Sequence, residues 1–161
     1  MSEDLKLTIG LSREDIYREI VPQIEALISS ESDLIANLAN VAAALKEALG
    51  FWWVGFYIVK QDELVLGPFQ GPVACTRIQK GKGVCGTSWS EKRTIIVPDV
   101  DQFPGHIACS SQSKSEIVIP IYQNSEVKMI LDIDSDRLDD FSEIDEKYLA
   151  DLMKKLEEVI Q

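Results

Sequence analysis

Residues 116–134 read EIVIPIYQNSEVKMILDID, two apolar runs joined by Gln123, Asn124 and Ser125. The hydrophobic residues alternate with a period of two, as Ile117, Ile119 and Ile121 before the loop and as Val127, Met129, Leu131 and Ile133 after it. This is the pattern of strands with one face in a core, and the short polar link makes them a β-hairpin. Matching the aliphatic faces requires odd positions opposite odd ones; a three-residue loop at 123–125 does this and sets Glu116 beside Asp132. The other face then carries Glu116, Asp132 and Asp134. Like charges opposed across a sheet are destabilising, so three acids converging at one end of a hairpin point to a site, with a solvated strand end as the plain alternative.

Upstream, FWWVGFYIVK at 51–60 and ELVLGP at 63–68, joined by Gln61-Asp62, predict a second hairpin. Trp52, Val54, Phe56 and Ile58 form its expected core face. Trp53, Gly55 and Tyr57 lie opposite, where two aromatics flank a position with no side chain; this face is either the wall of a small pocket or a surface covered by a helix. TIIV at 94–97 is a further short strand. Outside the strands the period lengthens to that of helices. Ser12 and Asp15 open a helix with Ile16, Ile20, Ile24 and Leu27 on one face, in which Pro22 predicts a kink or a break. A second helix runs from about Ser32 to Leu49 and stops at Gly50. The last starts at Ser142, with Asp145 three residues on, and repeats Ile144, Tyr148, Leu152 and Leu156. The fold class is therefore α+β: one domain over 1–161, with N-terminal helices at about 12–49, sheet and loops at about 51–135 and a C-terminal helix at about 142–160. The central sheet is mostly antiparallel, flanked by the N- and C-terminal helices.

Composition excludes several classes of function. The net charge is −11, from 16 basic and 27 acidic residues, without a basic cluster of the kind that phosphate backbones require, so no nucleic-acid partner is expected. The longest apolar run, at 51–59, is too short to cross a bilayer, and MSEDLKLTIG lacks the basic start and apolar centre of a signal peptide. No membrane association and a cytoplasmic location are expected. The three cysteines, Cys75, Cys85 and Cys109, cannot close a disulfide framework.

Residues 81–86, GKGVCG, match the dinucleotide pattern G-x-G-x-x-G, but too few residues separate them from the next strand for a crossover helix. What the spacing supports is a tight turn into a short helix whose N–H groups offer an anion site, or a plain glycine turn. Cys75, Cys85, His106 and Cys109 have the ligand types of a zinc site but not its short-knuckle spacing, and no metal is expected. His106, the only histidine, sits three residues before Cys109 in QFPGHIAC and is either a base for that thiol or a packing residue of a Pro-Gly turn.

The ordered set DLIANLAN, W-x-G-F-Y at 53–57, ACTRI and GKGVCG at 74–86, VPDVDQFPGHIAC at 97–109, SEIVIPI at 115–121 and LDIDS at 131–135 resembles the free methionine-(R)-sulfoxide reductases, small enzymes with the GAF fold. The similarity covers about residues 30–155 and includes all three cysteines. It implies reduction of free methionine (R)-sulfoxide to methionine, with Cys109 as the nucleophile that becomes a sulfenic acid. Cys85 would resolve that acid as a disulfide and Cys75 would assist recycling, with thioredoxin as the reductant. Trp53 and Tyr57 would meet the methyl-sulfinyl end of the substrate, and Glu116, Asp132 and Asp134 would form the acidic side of the pocket. Apart from the resemblance, crowded carboxylates push one another's pKa values apart and keep one protonated; Glu116, whose strand leaves the loop carrying Cys109, is the expected proton donor to the sulfoxide. A homodimer, and no cofactor, are further implications. The competing reading is a GAF module that binds a small ligand without catalysis.

Overall fold

The computed structural model describes residues 4–160; Met1–Glu3, where the expected domain and the N-terminal stretch without signal character begin, and Gln161 lie outside the described residues. The two hairpins form as β1 (Trp53–Lys60) with β2 (Glu63–Gln70), and β5 (Ser115–Gln123) with β6 (Glu126–Ser135). Two short strands, β3 (Arg77–Gln79) and β4 (Ile95–Val97), complete a six-stranded sheet of order β3-β2-β1-β6-β5-β4 in which every neighbouring pair is antiparallel. With its helices it is α+β, as the sequence predicts. β3 falls in a stretch with no alternating pattern and is not anticipated by the sequence.

Helix α1 (Arg13–Ser29) passes through Pro22 as one continuous element, so the predicted break is absent. Its buried face is Tyr17, Ile20, Ile24 and Ile28, turned one position from the predicted stripe at both ends. Helix α2 (Leu34–Leu49) is capped by the Asp33 side chain and stopped by Gly50 in the left-handed conformation. Helix α4 (Glu143–Val159) begins with a complete capping box between Ser142 and Asp145, a device contributing about 1 kcal/mol. Asp145 is also the anchor that joins the two ends of the chain. It accepts from Arg13 at 2.9 Å and from the Tyr17 hydroxyl at 2.6 Å, while Arg13 reaches Asp140 at 2.7 Å.

These three helices bury one face of the sheet. Val54, Phe56, Ile117, Ile119, Ile121, Met129, Leu131 and Ile133 meet Ile20, Ile24, Leu38, Leu45, Leu149 and Leu152 there. The other face is covered by the nine-residue helix α3 (Gly83–Glu91) and the loops around it, with Trp53, Tyr57, Val118 and Ile130 packing on Val84, Cys85 and Trp89. Trp52, predicted on the first of these faces, packs on the second. It precedes β1 instead of lying in it, so the strand alternation does not govern its direction.

The 116–134 hairpin corrects one expectation. Asn124 and Ser125 both have positive φ, at 53° and 65°, which makes a tight two-residue turn and pairs Gln123 with Glu126. That turn alone would place odd residues opposite even ones and send the aliphatic faces to opposite sides. An irregularity restores the parity: Tyr122 pairs with Val127 and Ile121 with Met129, leaving Lys128 unmatched. The odd-to-odd match is kept, but Glu116 lies opposite Asp134, and Asp132 lies opposite Val118.

Candidate active site

Cross-strand register builds the site. On β1 and β6 Trp53 pairs with Asp134 and Gly55 with Asp132, while Glu116 on β5 pairs with Asp134. Partners in an antiparallel ladder point to the same face, so the two aromatics of β1 and the three acids share the face below α3. Gly55 is required between Trp53 and Tyr57. A Cβ there would strike the Trp53 ring and Phe69, because the indole lies flat across the space that Gly55 leaves and stacks on Phe69 at 5.3 Å.

Two hydrogen bonds tie this wall to the loop between β2 and β3. Trp53 Nε1–H donates to the Pro72 carbonyl at 3.0 Å, and the Tyr57 hydroxyl donates to the Cys75 carbonyl at 2.8 Å. Cys75 is thereby fixed beside the pocket. The opposite rim is the loop before β5, shaped by Phe103-Pro104-Gly105-His106. Proline at the second place, Gly105 at φ 74° and a bond from His106 N–H to the Phe103 carbonyl make a tight type II-like turn. Beyond that turn, Cys109 is disulfide-bonded to Cys75, with Cα atoms 5.5 Å apart. Cys85, on the first turn of α3, is a buried free thiol. The resemblance implied the Cys109 disulfide with Cys85; the structure closes it with Cys75, because the loops carrying Cys75 and Cys109 face each other across the mouth while Cys85 points to the floor.

Trp53, Tyr57, Cys85, Cys109, Glu116, Asp132 and Asp134 line one pocket, and Cys75 adjoins it through the disulfide. The sequence did not single out Trp52, Lys82 or Ser113, which also line it. Ser113 donates to Asp134. The Trp52 Nε1–H is buried without an acceptor among the described residues. Only its position before a strand, instead of within one, could have flagged Trp52, and nothing local flags Ser113.

The floor is acidic and buried. Glu116 is 5% exposed and Asp132 6%. Burial raises all three carboxylates, and their mutual repulsion adds to it at Glu116 and Asp134. Hydrogen bonds with Glu116 and Cys85 act in the other direction at Asp132, which is held at about 6. Glu116 and Asp134 are pushed well above the usual carboxylate range. At neutral pH the floor thus holds a carboxylate at Asp132 beside protonated neighbours. Burial and the same acids drive the Cys85 thiol strongly upward, so it stays protonated and donates to Glu116 Oε1 at 3.8 Å. His106 Nε2 lies 4.0 Å from Glu116 Oε2, and burial lowers its pKa despite the nearby charge of Asp101. It faces the acids as a largely neutral ring. Of the N–H groups expected to offer an anion site at Gly81–Gly86, those of Gly81, Lys82 and Gly86 are used within the turn; Gly83, Val84 and Cys85, whose N–H groups have no acceptor within the helix, line the pocket.

The sequence profile of the GAF domain matches residues 29–161, and the chain belongs to the GAF-domain family. GAF domain-containing protein A of Dictyostelium discoideum is 60% identical over 158 residues, 98% of this chain and 99% of that protein. The free methionine-R-sulfoxide reductase of Escherichia coli is 41% identical over 151 residues, covering 93% of this chain and 92% of the relative. The crystal structure of the Neisseria meningitidis free methionine-R-sulfoxide reductase in complex with its substrate superposes with a TM-score of 0.96 at 50% identity, covering 99% of this chain and 96% of that one. Within the GAF domains, the chain belongs to the family of these free methionine-R-sulfoxide reductases. No helix among the described residues is long and apolar enough to cross a membrane.

Proposed function

We propose that this chain reduces free methionine (R)-sulfoxide to methionine, with Cys109 as nucleophile and Cys75 as the thiol that resolves it. The observation that carries the reading is the Cys75–Cys109 disulfide at the mouth of a pocket walled by Trp53 and Tyr57 and floored by three buried acids. The substrate is a zwitterion with a polar S=O and a small methyl group. Its ammonium pairs with Asp132, its carboxylate meets the N–H groups at the start of α3, and its methyl group packs on the aromatic wall. A pocket that holds both charged main-chain groups rejects the same residue inside a polypeptide.

The chemistry needs a proton at the departing oxygen and two electrons at sulfur. Protonated Glu116 supplies the proton to the sulfinyl oxygen as the Cys109 sulfur attacks. The S=O oxygen passes to Cys109 as S–OH, and the substrate leaves as the thioether. The thiol of Cys75 then displaces water from the sulfenic acid to form the disulfide; this condensation takes no further electrons, so the pair has lost only the two already passed to the sulfoxide. A dithiol protein of the thioredoxin type attacks the exposed disulfide and returns both thiols. The reading is tested by incubating the reduced protein with each sulfoxide diastereomer, without reductant. One equivalent of methionine per chain from the R form supports it, whereas reversible binding without methionine identifies a non-catalytic GAF module.

A further inference from the structure

The floor of the pocket has a second capacity, apart from substrate reduction. Among the described residues, Cys85 Sγ and one oxygen each of Glu116 and Asp132 lie within 4.8 Å of one another, all buried. Asp132 Oδ1 is shut away from water with no hydrogen-bond partner among the described residues. A buried carboxylate oxygen without a donor is costly, and a bound cation would offset that cost. His106 Nε2 stands outside this set, 4.0 Å from Glu116 Oε2.

We propose that Cys85, Glu116 and Asp132 form a binding site for a zinc-class divalent cation that excludes substrate from the pocket, and that binding draws in His106 from beside Glu116 as the fourth ligand. A tetrahedral zinc about 2.3 Å from sulfur and about 2.0 Å from oxygen places those two ligand atoms roughly 3.5 Å apart. The Cys85 Sγ to Glu116 Oε1 separation is 3.8 Å. One sulfur, one imidazole and two carboxylates in a buried site select a borderline-soft ion; magnesium and calcium need more oxygens and retained water. Binding forms a metal–thiolate bond and releases the Cys85 proton to solvent, with no change of oxidation state. This set differs from the sequence-derived quartet, since the disulfide occupies Cys75 and Cys109. The site is therefore available in the oxidised protein. Exclusion of substrate rests on the proposed function, because the cation takes the Asp132 oxygen assigned there to the substrate ammonium.

The test uses oxidised protein with the disulfide intact, so that Cys85 is the sole thiol. Titration with Co²⁺ should develop a thiolate-to-metal band in the near ultraviolet, and equilibrium dialysis should find one Zn²⁺ per chain. Cys85→Ser should lose the band and weaken Zn²⁺ binding by about 100-fold or more, whereas His106→Gln should keep the band with binding about 10-fold weaker. If Cys85→Ser does not fold by circular dichroism, Glu116→Gln replaces it with the same expected loss of affinity. No saturable binding at about 100 μM metal, or an unchanged band in Cys85→Ser, would overturn the site. Saturating methionine sulfoxide should displace the Co²⁺ band from wild type. If wild type in metal-free buffer releases methionine but its sulfoxide leaves the band intact, substrate exclusion is wrong. If no methionine is released, the proposed function fails and the metal site is still decided by the band.

Discussion

Cys109 is bonded to Cys75 across the pocket mouth, while Cys85 lies beneath them as a protonated thiol against Glu116. This separation gives the three cysteines distinguishable phenotypes. Cys109→Ser should release no methionine even in a single turnover. Cys75→Ser should release one equivalent and then stop with a sulfenic acid on Cys109, detectable as a dimedone adduct by mass spectrometry. Cys85→Ser should still form the Cys75–Cys109 disulfide on exposure to the sulfoxide, read from disulfide-linked peptides. A Cys85–Cys109 peptide from wild type would reverse the assignment.

Glu116 is the best-placed proton donor, since burial and the adjacent acids hold its proton at neutral pH. Glu116→Gln keeps the size of the group but cannot transfer a proton. The single-turnover rate should fall by about 100-fold, the lower part of the range for general acid catalysis, with a smaller change in substrate affinity. An unchanged rate would remove Glu116 from the reaction.

Gly55 sets the depth of the pocket. Gly55→Ala forces the Trp53 indole and Phe69 apart and should destabilise the fold by about 1–3 kcal/mol, as overpacking does. Because Trp53 also anchors the Cys75 loop through Pro72, the variant should raise KM more than it lowers kcat. Full affinity for the substrate would show that the indole can move without consequence.

Much of this site was legible because period-two alternation assigns faces regardless of register. Glu116, Asp132, Asp134, Trp53 and Tyr57 reached the correct side of the sheet even though the turn at Asn124-Ser125 is one residue shorter than expected. The bulge at Lys128 compensated for the turn, and neither leaves a mark in the hydrophobic pattern. The choice of disulfide partner was not legible. It depends on how loops before β3 and β5 meet over the sheet, which local spacing does not encode. Helix α1 illustrates the same limit: Pro22 stands within an unbroken helix, its preference for a break overridden by burial of Tyr17, Ile20, Ile24 and Ile28 against the core.

Asp132 should leave a signature in the pH dependence of stability. Its folded pKa of about 6 lies above the ordinary 3.8, so between these values the native protein holds a proton that the unfolded chain releases. Stability from this group is therefore present at low pH, declines as pH rises through that window and is fully lost above about 6. Asp132→Asn removes the titration. The melting temperature of wild type minus that of Asp132→Asn should fall between pH 4 and pH 7, corresponding to about 3 kcal/mol at most. A flat difference would mean that Asp132 ionises as freely in the folded protein as in the unfolded one.

Trp52 offers the opposite kind of test, a change in the free protein that should be stabilising. Its Nε1–H is buried without an acceptor among the described residues, and leaving such a donor unpaired costs about 1–3 kcal/mol. Trp52→Phe deletes the N–H and retains an aromatic ring in the pocket wall, at the cost of a small void. The relief exceeds the packing loss because the residue is only half-buried, so the melting temperature should rise by about 2–4 °C, equivalent to roughly 1 kcal/mol. A fall of similar size would show that the indole N–H is hydrogen-bonded in solution, with an ordered water in the pocket as its acceptor.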